Sequence, residues 1–321
     1  MWLIIRSTTT QQPDLKPQFY SNQVGDDIRH TMVRAIEKAQ KSVYLVMFGL
    51  SDPAMLRAVA EQQLPTTVYY DPVGSPGLWG TLSGAQLFPI ESRGLMHQKI
   101  LVCDEETVFL GSANMTSASL AMHDNLMIGV KHRALARFLL AHPPGVSGYF
   151  WDVVGTQKTE LWLLPDTDDR ALADVCHKIR AARTSLKIAL FTLTHPTLVD
   201  ELIAAHQRGV KICPVIDMHS ALGASKKAVE QLQDAGVRVR LSKGIQLLHH
   251  KFMLIDENTL LTGSANWTKG AFEKNSDCIL IVHNLDGKQK KFMGKLWKRI
   301  EAEARPVVQQ SAKPEGEWKT T

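Results

Sequence analysis

Two copies of one polar pattern carry the chemically capable side chains of this sequence. Each copy contains His-x-Lys, an apolar run, Asp and then a Gly-Ser-Ala-Asn turn. Matched positions keep a constant offset of 152 residues (249 − 97). The first copy comprises His97, Lys99, Asp104, Gly111, Ser112, Ala113 and Asn114, and the second His249, Lys251, Asp256, Gly263, Ser264, Ala265 and Asn266. A duplication of this length predicts two whole domains.

The spacing of these residues suits the chemistry of a phosphate group. Residues i and i+2 of a strand project from the same face, so each histidine shares a face with its lysine. A pseudo-twofold axis would bring His97 near His249 and would leave two ammonium groups in the same cleft. These charges repel unless an anion lies between them. The turns add neutral donors at Ser112, Asn114, Ser264 and Asn266. Such a set predicts a phosphate site with one nucleophile and one acid.

Length and composition set limits on the class of protein. A chain of 321 residues with 44% hydrophobic residues can form two domains with substantial cores. We expect no transmembrane segment, because no apolar run approaches the roughly 20 residues of a membrane span. The opening segment 1–6 is too short for a signal peptide, which favours a cytoplasmic location. A net charge of +5 suits an anionic partner, either nucleic acid or an acidic lipid surface.

Helices and strands alternate along the chain in the same order in both halves. The first half predicts helices at 28–39, 54–63 and 134–140 and strands at 42–48, 66–70, 85–89, 100–103, 108–110 and 126–130. The second half predicts helices at 171–182, 197–207, 225–235 and 287–304 and strands at 185–191, 211–216 and 237–241. This alternation predicts an α/β fold of two pseudo-symmetric α-β-α sandwich domains, each with a mixed, mostly parallel sheet. The active site is expected at their interface.

The expected boundaries follow from this pattern. An N-terminal segment covers 1–18, the first domain 19–150, the second domain 151–304 and a disordered tail 305–321. The Gly- and Pro-rich segment 72–84 is expected to be a loop near the mouth of the site, with Leu78 and Trp79 at its middle. The four cysteines are scattered and predict buried thiols rather than disulfides or a zinc site.

The doubled H-x-K-x4-D motif, each copy followed by G-S-x-N, resembles the phospholipase D superfamily. The compact two-copy form resembles its bacterial nuclease branch, and the resemblance covers roughly residues 19–304. It implies a two-step reaction that needs neither metal nor other cofactor. One motif histidine attacks phosphorus to form a phosphohistidine, and the other protonates the leaving oxygen and then activates water. It further implies that Lys99, Lys251, Asn114 and Asn266 hold the phosphoryl oxygens, whereas Asp104 and Asp256 are structural.

The two halves differ at one position that the resemblance makes important. In the family, a carboxylate downstream of the asparagine turn orients the motif histidine, and Asp277 fits this role for His249. Its counterpart in the first half is Asn125 (277 − 152). An amide oxygen fixes the tautomer but stabilises an imidazolium less than a carboxylate does. We therefore expect His97 to be the neutral nucleophile and His249 the acid, unless Asp124 replaces Asn125 through a shifted backbone or the first half-site is weakened.

Four functions fit these features. The first, which the compact double domain and the net positive charge favour, is endonuclease-like hydrolysis of nucleic-acid phosphodiesters by a monomer that contains its own pseudo-dimer. The second is a phospholipase D acting on phosphatidylcholine or cardiolipin, for which Leu78 and Trp79 would contact the lipid. The third is a phosphatidyltransferase of the cardiolipin synthase type, which the lack of apolar N-terminal helices disfavours. The fourth is a non-catalytic binding module. The motifs recognise the phosphate rather than the groups esterified to it, so the reaction class is better defined than the substrate.

Overall fold

A computed structural model describes residues 16–82, 84–91, 94–244 and 246–307. The predictions for the N-terminal segment before residue 16 and for the tail after residue 307 lie outside the described residues. Within these ranges the chain forms two mixed sheets, one of seven strands and one of nine, with helices packed against them. The expected α/β class and the division into two related halves are confirmed.

The first half contains the seven-stranded sheet. Its strands are β1 (Gln18–Tyr20), β2 (Val43–Met47), β3 (Thr66–Tyr70), β4 (Gln86–Pro89), β5 (Lys99–Cys103), β6 (Thr107–Gly111) and β7 (Met127–Lys131). Its helices are α1 (Ile28–Glu37), α2 (Pro53–Ala60), α3 (Ser117–Ala121) and α4 (Arg133–Ala141), and a 3-10 turn covers Asn22–Val24. The strand order across the sheet is β1-β7-β6-β5-β2-β3-β4.

The second half contains the nine-stranded sheet. Its strands are β8 (Gly148–Val154), β9 (Gln157–Leu163), β10 (Ser185–Leu190), β11 (Lys211–Ile216), β12 (Arg240–Ser242), β13 (Lys251–Ile255), β14 (Thr259–Gly263), β15 (Cys278–Val282) and β16 (Ala304–Pro306). Its helices are α5 (Arg170–Ala181), α6 (Pro196–Gln207), α7 (Met218–Leu222), α8 (Lys226–Asp234), α9 (Lys269–Glu273) and α10 (Gly287–Ala302). The strand order is β16-β12-β11-β10-β13-β14-β15-β9-β8.

The duplication seen in the sequence is also present in the register of the strands. Strand β5, which begins at Lys99, runs antiparallel to β2 and pairs Lys99 with Met47. Strand β13 pairs Lys251 with Leu190 of β10 in the same way. In both sheets the next strands outward, β3 with β4 and β11 with β12, are parallel. The two motif strands therefore occupy equivalent central positions.

The expectation that parallel pairs would predominate is wrong. Only β2-β3-β4 and β10-β11-β12 are parallel among the described strands, and the other neighbouring pairs run antiparallel. The physical reason lies in the connections. Strands β5 and β6 are joined by a three-residue turn, which can link only antiparallel strands, because a parallel pair needs a crossover of a dozen or more residues.

Three apolar clusters build the core in layers. Helices α1, α2 and α3 cover one face of the first sheet, and α5, α6, α8 and α9 cover one face of the second. Between the sheets lies a shared cluster that includes α4, α10 and the inner faces of strands from both halves. Both faces of the central strands are therefore covered, and every residue of β2 and β5 is buried, including Lys99 at the start of β5.

Several elements differ from those expected. The hairpin β8-β9 was not predicted, and it joins the second sheet, so a division at residue 150 passes through β8. The strand expected at 237–241 begins only at Arg240. Arg305 and Pro306, assigned to the disordered tail, instead form β16 against β12. Strands β12 and β16 have three residues each, and the pairing of such short strands depends on the neighbouring strand more than on their own sequence.

The two motif aspartates accept hydrogen bonds from backbone groups at the start of neighbouring strands. Asp104 Oδ1 accepts hydrogen bonds from the backbone N–H groups of Gln40 (2.8 Å) and Lys41 (2.7 Å), just before β2. Asp256 accepts from Arg183 N (2.9 Å) and Thr184 N (2.8 Å), just before β10. Each aspartate thus ties the turn after its motif strand to the start of the neighbouring strand.

We predict that Asp104→Ala lowers the free energy of unfolding by about 1–3 kcal/mol, because two backbone donors lose a charged acceptor. The measurement is urea denaturation followed by circular dichroism. Glu105→Ala is the matched control, since Glu105 is exposed and also has a positive φ, here 54°. Equal losses in the two variants would show that the conformation of the turn, and not the Asp104 hydrogen bonds, sets the stability.

Candidate active site

The motif histidines are oriented by residues of the opposite half. His97 Nδ1 lies 2.8 Å from Asp277 Oδ1, and His249 Nδ1 lies 3.0 Å from Asn125 Oδ1. The predicted pairing of Asp277 with His249, and of Asn125 with His97, is therefore wrong. The four side chains are buried and meet where the two halves join. This exchange of partners makes one composite site from two copies.

Backbone bridges between the halves cause the exchange. The His97 N–H donates to Ser276 O (2.8 Å), and the Ser276 N–H donates to Leu95 O (2.9 Å). In the pseudo-symmetric bridge, the His249 N–H donates to Asp124 O (3.0 Å) and the Asp124 N–H donates to Leu247 O (2.9 Å). Each histidine is thus bonded to the residue that precedes the orienting side chain. The alternative in which Asp124 orients a histidine is excluded, because its carboxylate has no hydrogen bond in the described part of the chain.

The turn serines fix the orienting side chains. Ser264 Oγ donates to Asp277 Oδ1 (2.6 Å), and Ser112 Oγ donates to Asn125 Oδ1 (2.9 Å). The amide nitrogen of Asn125 donates to Ser119 O (2.9 Å), which leaves its oxygen facing His249. The expectation that Ser112 and Ser264 act as donors to the phosphate is wrong, because their hydroxyl protons are already used. His249 consequently carries its proton on Nδ1 when neutral, and its Nε2 is free to exchange protons.

The two lysines are fully buried beside the histidines. Lys99 Nζ donates to the carbonyl of His97, and Lys251 Nζ donates to the carbonyl of His249 at 2.8 Å. Their exposures are 0% and 1%. Two buried cations without paired carboxylates are costly, so their presence indicates that the site is built for an anion.

Two aromatic residues of the site were not singled out from the sequence. The Phe48 ring centroid lies 5.3 Å from that of His97 and 5.2 Å from Lys99 Nζ. Phe191 lies 5.4 Å from the His249 ring and 5.2 Å from Lys251 Nζ. Both follow the first central strand of their half and share an offset of 143 (191 − 48), which was a usable signal. They confine the imidazoles and give the ammonium groups a cation–π contact.

Asp71 and Asp217 position the segments that lead into the motifs. Asp71 Oδ2 accepts from Met96 N (3.1 Å), the residue before His97. Asp217 Oδ2 accepts from Leu248 N (3.1 Å), the residue before His249. Asn114 and Asn266 lie in the turns, and their Oδ1 atoms are buried without a hydrogen-bond partner among the described residues. Such uncommitted amides match side chains that bind a ligand.

The electrostatics of the site follow from burial and like charge. Burial, followed by the charge of Lys99, lowers the pKa of His97, although Asp277 opposes this shift. Burial and Lys251 lower the pKa of His249 further, since its partner is neutral. Burial lowers the pKa of Lys99 to about 7. Burial disfavours the charged form of Asp277, but the charge and hydrogen bond of His97 outweigh it and lower the pKa of Asp277.

Loops around the site expose apolar side chains. Three segments, 72–82, 121–123 and 218–224, are here termed the mouth loops, although the second begins at the last residue of α3 and the third includes the short helix α7. They expose Val73 (82%), Trp79 (71%), Met122 (56%) and Leu222 (65%). Leu78 is buried at 3%, so the expected pair of contact residues reduces to Trp79. Met122 adjoins His123, whose ring lies 5.9 Å from that of His249.

No group of three or more His, Cys, Asp or Glu side chains in the described ranges could hold a metal ion. None of the helices in the same ranges combines the length and apolarity that a membrane crossing requires.

Comparison with known proteins adds the following. A family model described as "Cardiolipin synthase, PLD-like domain" matches residues 79–142 and 175–302. The chain is 33% identical over 141 residues to the mitochondrial cardiolipin hydrolase of Xenopus laevis, covering 43% of this chain and 66% of that protein. It is 36% identical over 117 residues to the Homo sapiens protein of the same name, covering 36% of this chain and 46% of that protein. The chain spans about half the length of the first curated relatives that it matches.

A likeness to a solved structure extends over nearly the whole chain. The phosphatidylserine synthase of Haemophilus influenzae superimposes with a TM-score of 0.69 at 14% sequence identity. The match covers 91% of this chain and 87% of that one. At this identity it shows a shared fold alone.

We predict that Asn125→Asp raises the pKa of His249 by about 1 unit or more, because a carboxylate at hydrogen-bond distance stabilises the imidazolium. The pKa of His97 should change much less. The measurement is an NMR pH titration of the histidine Cε1–H signals, with Asp277→Asn as the reciprocal variant, which should lower the pKa of His97. A larger shift at His97 than at His249 in Asn125→Asp would contradict the crossed pairing.

Proposed function

The chain belongs to the phospholipase D superfamily, and from this premise we propose that it hydrolyses phosphodiester bonds through a phosphohistidine intermediate. The observation that supports this most directly is the composite site, in which two buried histidines and two buried lysines meet with exchanged orienting partners. The lysines provide cations, and the histidines have Nε2 atoms without a hydrogen bond to any described residue. This buried arrangement suits in-line displacement at a bound phosphate.

We assign His97 as the nucleophile. Asp277 holds the proton on Nδ1 and leaves the Nε2 lone pair free to attack phosphorus. When the Nε2–P bond forms, the ring becomes cationic, and the carboxylate stabilises this charge. The corrected pairing thus preserves the assignment expected from the sequence but changes its reason, because the nucleophile has the carboxylate partner.

We assign His249 as the general acid and base. The bound phosphodiester anion favours the imidazolium of His249, whose Nε2 proton passes to the leaving oxygen as the P–O bond breaks. The amide of Asn125 stabilises this imidazolium only weakly, so the proton is released readily. Water then attacks phosphorus, gives its proton to His249 and breaks the Nε2–P bond. Lys99, Lys251, Asn114 and Asn266 are proposed to hold the non-bridging oxygens throughout.

An activated diester separates the two histidine roles. The p-nitrophenolate of bis(p-nitrophenyl) phosphate leaves without a proton, so His249→Asn should still form the intermediate but should not hydrolyse it. We predict a single-turnover burst of p-nitrophenolate in this variant, with the phosphoryl group retained on His97. His97→Asn should give no burst. The measurement is stopped-flow absorbance with mass spectrometry after an alkaline quench. A phosphoryl group mapped to His249 would reverse the assignment.

The mouth loops favour a phospholipid as the substrate. Val73 and Trp79 are among the most exposed large apolar side chains of the described residues. Exposed apolar residues around a site mark surfaces that bind apolar partners. The backbone of Lys274, an exposed residue, lies beside Gly94 in the segment leading to His97, and we infer that its ammonium group adds positive charge near the mouth. An anionic phospholipid such as cardiolipin would match the exposed apolar side chains with its acyl chains and the positive charge with its phosphates. Two relatives named mitochondrial cardiolipin hydrolase also support this substrate.

Nucleic acid is the second candidate, and it was the substrate that the sequence favoured. Trp79 is exposed enough to stack on a base, and exposed lysines suit a phosphate backbone. The proposed chemistry at phosphorus is the same for both substrates. The two substrates would differ in how the mouth loops bind the groups esterified to the phosphate.

An assay in excess EDTA separates the candidates. One arm contains phosphatidylcholine or cardiolipin vesicles, the other single-stranded DNA and RNA oligonucleotides, and His97→Asn is the blank. We predict turnover of cardiolipin vesicles, with Trp79→Ala lowering it about tenfold, because one large interfacial side chain is lost. Trp79→Ala should cleave soluble bis(p-nitrophenyl) phosphate normally.

The other outcomes of this assay are equally definite. Oligonucleotide cleavage that is absent in His97→Asn, without lipid turnover, would assign nucleic acid as the substrate. Activity that disappears in EDTA in both arms would contradict the metal-independent mechanism.

A further inference from the structure

A cavity on the far side of the second motif contains a buried carboxylate that nothing in the proposed reaction uses. The cavity has a volume of about 230 Å³ and lies where the 3-10 turn, α10 and the segment before His249 meet. Its walls include Gln23, Asp124, Gln246, Leu248, Ile300 and Glu303. Neighbouring residues of extended chain point to opposite sides. Asn125 therefore faces His249, whereas Asp124 faces the cavity.

The carboxylate of Asp124 has no partner among the described residues. Asp124 is 4% exposed, and its Oδ1 atom is buried without a hydrogen bond. The other charged groups of the cavity are engaged. Glu303 accepts from Gln23 Nε2 (2.7 Å) and pairs with Arg299, and Lys243 Nζ donates to Ala302 O (2.8 Å). An unpaired buried carboxylate is costly, so a cationic partner from outside the chain would relieve a penalty that the fold leaves in place.

The shape and lining of the cavity define the chemistry of this partner. A metal ion is disfavoured, because the described residues provide no group of three or more side chains able to hold one. The cavity is also larger than a single ion requires. Leu248 and Ile300, each 1% exposed, form apolar walls beside the carboxylate. An aliphatic chain against these walls and a hydrogen-bonding cation at Asp124 match the lining.

We propose that this cavity binds the ammonium group and alkyl chain of a small aliphatic primary amine, with Asp124 as the anionic anchor. The site is connected to the second motif in two ways. The Asp124 carbonyl accepts the His249 N–H, and Gln23 bonds both Glu303 and the His250 ring (2.8 Å). The proposal concerns binding alone and does not rest on the proposed phosphodiesterase activity.

The other half provides a natural control for this site. The position equivalent to Asp124 is Ser276 (276 − 152), which makes the same backbone bridge but carries no charge. The duplicated fold thus tolerates a serine at this bridge. Asp124→Ser is accordingly a conservative second variant beside Asp124→Asn, and Ser276→Ala controls for effects on the bridges themselves.

The test is isothermal titration calorimetry with n-butylamine and 1,4-diaminobutane on the full chain at pH 8. Tetramethylammonium, which has no N–H donor, and 1-butanol, which has no charge, are the matched probes. Saturable binding of the primary amines is expected in the wild type and in Ser276→Ala. Both Asp124 variants should raise Kd by at least about tenfold, because a charge-assisted hydrogen bond is lost.

The dependence on pH provides a second readout. Burial, followed by the charge of Glu303, raises the pKa of Asp124 to about 7, with Arg299 opposing and Asp217 adding to the shift. Amine affinity should therefore fall as the pH drops from 8 to 6, where Asp124 takes up a proton. Unchanged affinity in both Asp124 variants, equal binding of tetramethylammonium, or no binding in the wild type would each overturn the proposal.

Discussion

The hydrogen bond between His97 and Asp277 joins the two halves at the point where the chemistry is proposed to occur. It requires the second half to insert the start of β15 beside the first motif, and the interdomain backbone bridge at Ser276 holds it there. The cluster shared between the sheets keeps the halves in this arrangement. Neither half contains a complete site, because each depends on the other for the residue that sets the tautomer of its histidine.

Charge in the site explains much of its surroundings. Two lysines and two histidines are buried together in the site, and the carboxylate of Asp277 is hydrogen-bonded to one of the histidines. Burial and mutual repulsion lower the pKa values of these cations, so the empty site holds fewer protons than an occupied one. A bound phosphodiester supplies the missing negative charge. The phenylalanines and the serine hydrogen bonds keep the groups in place until it arrives.

Divergence between the copies is concentrated at positions that the duplication makes easy to compare. Asp277 of the second half corresponds to Asn125 of the first, and Ser276 corresponds to Asp124, each pair being equivalent under the pseudo-twofold relation. The first difference gives the two histidines unequal partners and therefore different roles. The second difference places a carboxylate at one of two otherwise similar backbone bridges. This carboxylate, that of Asp124, lines the cavity proposed to bind an amine. A symmetric scaffold has thus acquired two asymmetric features in adjacent residues, one on each side of the same segment.

The sequence by itself determined the duplication, the α/β class, the central strands and the two motifs whose histidines and lysines meet between the halves. Strands at 66–70 and 211–216 were predicted with their observed bounds. Asp104 and Asp256, for which a structural role was expected, accept backbone hydrogen bonds next to neighbouring strands. Only the tertiary structure decided which half orients which histidine, since a constant offset is equally compatible with pairing inside a half or across the interface. The tertiary structure also decided that Ser112 and Ser264 support the orienting side chains and that the β8-β9 hairpin joins the second sheet. It likewise left the carboxylate of Asp124 without a partner among the described residues. These features arise from how the two halves dock, and docking is a property of surfaces that residues distant in sequence form together.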